Sequence, residues 1–307
     1  MMRKFIILII CLASSSQAFA CDVCGGKLGG LNLGLAPSFN GHFIGFKYSQ
    51  AHFNAFVDYG SQYLENESSD DVYYRMDLIG RVTISKRWQL NVILPYLYNE
   101  MDGSHQNVTL SGVGDPMFLV YHQVLNKQSN TGYIGHNLLF GGGLKLPLGD
   151  FENLDQGEII NRNFQLGSGS FDYLLTSNYS ISYKKLGLNI EGAYKYNTGN
   201  KDDYRFGNQV NASGNIYYTI NASGFSLLPF FGGYFEAAGK HQDNAIEVAN
   251  TGGQAWFASL GTEVYAGNFT LSTQYQIPIS QDYNVDQFSS IEAGSRYALS
   301  ILWNIGG

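Results

Sequence analysis

From Tyr297 to Ile305 the chain alternates: Tyr297, Leu299, Ile301, Trp303 and Ile305 share one face, and Arg296, Ala298, Ser300, Leu302 and Asn304 share the other. Successive side chains of a strand point to opposite faces, so this stretch predicts one apolar, aromatic face and one mostly small or polar face. The pattern recurs. In 186–196, Leu188, Ile190, Tyr194 and Tyr196 oppose Asn189, Glu191, Ala193 and Lys195. In 72–84, Tyr74, Met76, Leu78, Val82 and Ile84 oppose Arg75, Asp77, Arg81 and Thr83. In 88–98, Leu90, Val92, Leu94, Tyr96 and Tyr98 oppose Gln89 and Asn91, with Ile93 and Leu97 breaking into the polar face. About twelve such runs lie near 42–57, 72–84, 88–98, 113–125, 133–146, 171–183, 186–197, 209–220, 225–236, 255–265, 269–279 and 291–305. Alternation alone suits a soluble sandwich with its apolar faces inward or a membrane barrel with them outward.

The connections separate the two. Short ones (85–87, 126–131, 184–185, 221–224 and 266–268) alternate with long ones near 58–71, 99–112, 147–170, 198–208, 237–254 and 280–290. Short turns on one rim and long loops on the other are the arrangement of an outer-membrane barrel, with the short side periplasmic. An even strand number then places the N- and C-termini in the periplasm. Lys86, Arg87, Lys127, Lys184 and Lys185 sit on the short turns, whereas most acids lie in the long loops. Aromatics gather near strand ends, among them Tyr73, Tyr74, Trp88, Tyr96, Tyr98, Tyr183, Tyr194, Tyr196, Tyr217, Tyr218, Trp256, Tyr265, Tyr297 and Trp303. These are the positions of interfacial girdles. The expected fold is therefore all-β, a transmembrane antiparallel barrel of about twelve strands occupying 42–307.

Composition agrees. The 307 residues are 15% aromatic with 22 Tyr and 20 Phe, and contain 37 Gly but only 6 Pro. Mean hydropathy is −0.13, and after residue 20 no run approaches the ~20 apolar residues of a spanning helix. Residues 1–20 read as a signal peptide: Arg3 and Lys4, an apolar Phe5–Ala13, then Ala18-Phe19-Ala20 before Cys21. Residues 21–41 form a Gly-rich periplasmic segment carrying Cys21-Asp22-Val23-Cys24. That spacing suits a disulfide or redox pair, a soft metal such as Cu(I) or Zn(II) with His42 and His52 as further ligands, or lipidation of Cys21. No other cofactor is implied. A net charge of −7 argues against nucleic acid as a partner; lipid and a small-molecule solute are the expected partners.

Three short motifs carry a family resemblance: Gly112-Val113-Gly114-Asp115-Pro116, Gly143-Leu144-Lys145-Leu146-Pro147-Leu148-Gly149 and Leu166-Gly167-Ser168-Gly169-Ser170-Phe171-Asp172. In these the chain resembles the outer-membrane transporter barrels grouped with the MetA-pathway-of-phenol-degradation proteins. The resemblance implies a barrel and a transport role for small solutes, with hydrophobic or aromatic compounds as the class.

On the polar faces, Lys47, Arg75, Asp77, Arg81, Lys145, Asp172, Glu191, Lys195, Glu263 and Arg296 are the candidates for lining a lumen, where charges of both signs either select solutes or pair with one another. No catalytic set is found: His105, His122, His136 and His241 lack a Ser two residues on, and neither a P-loop nor an HExxH is present. The expectation is a passive outer-membrane channel or transporter and not an enzyme. The alternative is a metal-binding or redox protein whose barrel anchors the CxxC segment.

Overall fold

The computed structural model describes residues 41–305 apart from 61, 62, 64, 105 and 130–132. The signal peptide, Cys21 and Cys24 lie outside the described residues. The chain forms one antiparallel barrel of twelve strands: β1 (His42–Val57), β2 (Glu67–Ser85), β3 (Trp88–Gly103), β4 (Asn107–Val113 and Met117–Gln128), β5 (Ile134–Lys145), β6 (Asp172–Tyr183), β7 (Leu186–Tyr196), β8 (Gln209–Tyr218 and Ile220–Ala222), β9 (Phe225–Ala238), β10 (Gly253–Ala266), β11 (Phe269–Tyr283) and β12 (Ser289–Ile305). Each strand pairs with the next, and β12 pairs with β1 from His42↔Ile305 to Val57↔Ser289. Closure leaves no open edge between the first and last strands, which a barrel in hydrocarbon requires.

The burial pattern is inside-out. Polar and charged side chains such as Arg75, Asp77, Gln89, Asn91, Asp172, Asn189, Glu263 and Arg296 are buried, while Phe46, Leu175, Phe231, Leu299 and Ile301 are exposed. A sandwich in water would invert this, because burying charge is costly and exposing a contiguous apolar band is unfavourable. The outward band is the surface a membrane covers.

Several strands run past their sequence-predicted ends. The connection expected over 99–112 is mostly strand, since β3 continues to Gly103 and β4 begins at Asn107. The reason lies in the outward positions. Beyond the outward Tyr74–Tyr98 ring pair (5.7 Å), they become Ser68, Asp70, Glu100 and Asp102. These strands project beyond the apolar zone, so alternation of hydrophobicity stops while pairing continues. In β4, Gly114-Asp115-Pro116 interrupts the ladder. Inward residues are even-numbered before it (Val108) and odd-numbered after it (Met117, Leu119, Tyr121). The shift in β12 between Arg296 and Ala293 does the same, as expected where an extra residue enters one strand.

Three of the aromatics expected in the girdles are instead inside. Tyr73 and Tyr217 are 6% exposed, and Tyr265 shares the parity of buried Glu263, whose carboxylate its hydroxyl reaches at 2.6 Å. Proximity to a strand end selects height along the barrel, whereas the parity of the position selects the face.

Candidate functional site

The lumen holds the molecule's concentrated chemistry. At the end bearing the long connections it is filled by an apolar cluster: Phe53, Tyr73, Met101, Val108, Tyr234, Phe257, Tyr283 and Ile291 from the wall, and Ile160 and Phe164 from the segment between β5 and β6. That segment was expected to be an outer loop, but it folds inward. Phe164 is 1% exposed and packs edge-on against Tyr73 at 5.7 Å, and its carbonyl accepts from Asn99 Nδ2 at 2.8 Å. Its hairpin, Leu154–Asp155 against Glu158–Ile159, stays out, with Leu154 and Ile159 exposed, as does Leu148 before it. Lys201, in the connection between β7 and β8, donates to Glu152 at 2.8 Å, which holds its ammonium above the ordinary lysine range.

The inward fold is pinned where the three motifs meet. The Asp115 carboxylate accepts from Gly149 N (2.9 Å), Ser168 N (2.9 Å), Ser168 Oγ (3.0 Å) and Lys145 Nζ (2.9 Å). Lys145 also pairs with Asp172 at 2.6 Å and donates to Ser168 Oγ, and Ser170 Oγ donates to Asp172 at 2.9 Å. Asp115 breaks β4, Lys145 ends β5 and Asp172 opens β6. Adjacent strands thus deliver one cation and two anions to a single buried point. The glycines permit the approach: a Cβ on Gly167 would overlap the Gly149 carbonyl, and one on Gly149 would meet Gly167 Cα at 2.9 Å. A buried charge is tolerable only when paired and hydrogen-bonded, and Lys145 meets both conditions.

Further charges occupy the middle of the lumen. Arg296 on β12 forms a two-point pair with Glu236 on β9, at 2.7 and 2.6 Å. Its guanidinium lies over the rings of Phe257 (4.1 Å) and Phe53 (5.6 Å). Arg75 Nε donates to Asp77 at 2.7 Å. Lys47 on β1 interacts electrostatically with Asp77 and Arg75 and, across the lumen, with Glu191 on the opposite strand β7. Glu191 also senses Glu263 and accepts from Asn178 Nδ2 at 2.6 Å. Towards the terminal end, Arg81 donates to Asn91 Oδ1 at 3.2 Å and stacks over Phe43 at 4.5 Å.

All ten of the charged candidates lie on inward-facing positions: Lys47, Arg75, Asp77, Arg81, Lys145, Asp172, Glu191, Lys195, Glu263 and Arg296. They form no single site. Lys145 and Asp172 belong to the pinning cluster, Arg75 and Asp77 pair locally, and the others are distributed around the wall. The sequence reading missed Asp115 and Glu236. Glu236 shares the inward parity of Leu228, Phe230 and Tyr234, which was the available signal; Asp115 sits in a motif read only as a likeness. His42 and His52 are not brought together. His42 starts β1, its Nδ1 facing Thr83 N at 3.3 Å, whereas His52 is ten residues along the same strand, roughly 33 Å away at ~3.3 Å per residue, and pairs with Asp70. Among the described residues no group of three or more His, Cys, Asp or Glu is placed to hold a metal.

No protein-family model and no curated protein matches this sequence. Among solved structures, the chain is similar to an outer membrane channel from Pseudomonas putida F1, with a TM-score of 0.58 and 15% identity over 86% of this chain and 96% of that one. The transport unit of the autotransporter AIDA-I from Escherichia coli gives 0.48 and 8%, over 91% of this chain and 96% of that one. A Pseudomonas aeruginosa FadL homologue gives 0.41 and 8%, over 87% and 91%. The first of these is a likeness of fold: an outer-membrane β-barrel.

Proposed function

We propose that the protein is an outer-membrane channel that passes small solutes, with the termini and short turns in the periplasm and the segment between β5 and β6 forming a constriction on the extracellular side. One observation carries the reading: a closed barrel with an apolar exterior and a charged, hydrogen-bonding interior, into which the connection between β5 and β6 is folded and held by the Asp115–Lys145–Asp172 cluster. A barrel needed only as an anchor gains nothing from such an interior. The similar barrel from Pseudomonas putida F1 is itself described as an outer membrane channel. Small hydrophobic or aromatic compounds fit the outer half, where Phe53, Tyr73, Phe164, Phe257 and Tyr283 converge and an aromatic ring entering as the segment withdraws meets ring edges and faces.

Planar-bilayer recording of the purified mature protein tests the proposal. Discrete conductance steps are expected, larger or more frequent when the pinning cluster is broken by Asp115→Ala. A folded wild-type barrel and a folded Asp115→Ala barrel that both leave the bilayer silent would sink it.

A further inference from the structure

Near the terminal end, half of the barrel wall carries a belt of carboxamides. Five of the six adjacent strands β3 to β8 contribute Gln89, Asn91, Gln123, Asn137, Asn189 and Asn215, each between 0% and 6% exposed, and β6 contributes Ser180. Asn91, Asn137, Asn189 and Asn215 each lie three residues in from a strand end at Trp88, Ile134, Leu186 or Tyr218. The ladders set them side by side: Asn137 is opposite Ser180, Ser180 opposite Asn189, and Asn189 opposite Asn215. Gln89 is opposite Tyr121, two residues from Gln123 on the same face. Cross-strand partners and their diagonal neighbours are within reach of one another.

These side chains do not saturate one another. Both polar atoms of Gln89, Nδ2 of Asn91, Nε2 of Gln123, and Oδ1 of Asn137, Asn189 and Asn215 are buried without a hydrogen-bond partner. Buried polar groups are normally bonded, and each exception needs an explanation, such as strain, an ordered water, an ion or a ligand. The open positions are of both kinds: donors on β3 and β4, and acceptors on β3, β5, β7 and β8. Turning any one amide exchanges a donor for an acceptor without closing the position. Ions near the belt are already engaged, Arg81 with Asn91, Glu191 with Asn178 and Glu263 with Tyr265.

We infer that this belt is a binding subsite for an uncharged solute bearing several hydroxyl or amide groups. A hydroxyl both donates and accepts, so a polyhydroxylated molecule can serve both kinds of position at once. A solute with a net charge would lose its hydration against neutral amides, which do not replace an ionic partner. The subsite deepens the channel reading and rests on it for its use in passage, but the binding itself can be measured without conduction.

The test uses the mature full chain in detergent, with glucose, glucosamine and glucuronate as probes that share a ring and differ in charge. Ligand-detected NMR should show glucose binding, with the two charged sugars at least tenfold weaker. Asn137→Leu and Asn189→Leu should each weaken glucose about tenfold or more; Asn189→Ala, which removes the same open oxygen with less bulk, serves if a leucine variant does not fold. Heat-modifiable gel mobility confirms folding. No saturable glucose binding by the folded wild type, equal affinity for all three sugars, or unchanged affinity in the folded variants each overturns the subsite. Glucose binding by a protein that passes no ions either as wild type or as Asp115→Ala upholds the subsite and overturns the channel; ion conduction without glucose binding does the reverse.

Discussion

Replacing Asp115 with Ala should release the segment between β5 and β6 while leaving the barrel closed. The carboxylate side chain is 7% exposed and its partner Lys145 is 8% exposed. Removing one member of a buried pair costs on the order of 3–5 kcal/mol, because the remaining charge is stranded. Lys145 keeps Asp172 at 2.6 Å, which places the electrostatic part at the lower end, about 3 kcal/mol. The backbone N–H groups of Gly149 and Ser168 also lose their acceptor, at about 1–3 kcal/mol for each one that stays buried. These contributions share one site and do not add, so the total is about 3–5 kcal/mol. At 1.4 kcal/mol per tenfold, that shifts the pinned-to-released ratio by roughly 10² to 10³ or more. The barrel ladders from β1 to β12 run through other groups, so the loss is local. Limited proteolysis of the refolded protein should show cleavage within 147–170 in Asp115→Ala at protease levels the wild type resists. Asp115→Asn, which keeps an acceptor but loses the charge, should fall between them. A folded Asp115→Ala protein with wild-type resistance in this segment would refute the pinning argument.

Three further outcomes are expected. Leu299→Arg puts a charge on the outward face and should cost about 2–4 kcal/mol if Leu299 lies near mid-membrane; Ser300→Arg puts it on the inner face and should cost less, and equal losses in a urea refolding titration would show the register to be wrong. Arg296→Met should destabilise by about 3–5 kcal/mol by stranding Glu236; the double change with Glu236→Leu should recover much of this, and a double variant as unstable as the single one counts against an isolated buried pair. In a background with Cys21 and Cys24 changed to Ser, a membrane-impermeant thiol reagent on intact cells should label Gln156→Cys and not Lys185→Cys; the opposite result reverses the orientation.

Much of the fold was legible in the sequence because a strand has a period of two. Tyr297-to-Ile305 alternation sorts side chains onto two faces wherever the strand sits, and the alternation of short and long connections distinguishes barrel from sandwich before any contact is known. That was enough to place all ten charged candidates on the polar face, among them Lys47, Arg81 and Glu263. Period does not say who meets whom. Arg296 finds Glu236 sixty residues away, and Asp115 finds Ser168 fifty-three residues on, because closure and register bring distant strands side by side. The inward folding of the segment around Phe164 had no local signature, since Asn161, Asn163 and Gln165 read as loop until Asn99 and the inner wall supply their surroundings. The carboxamide belt was likewise divided among five runs, each with one or two unremarkable amides. Local chemistry chooses the face of each strand. The neighbours around the ring, and so the site, are settled only when the barrel closes and every strand takes its register from the next.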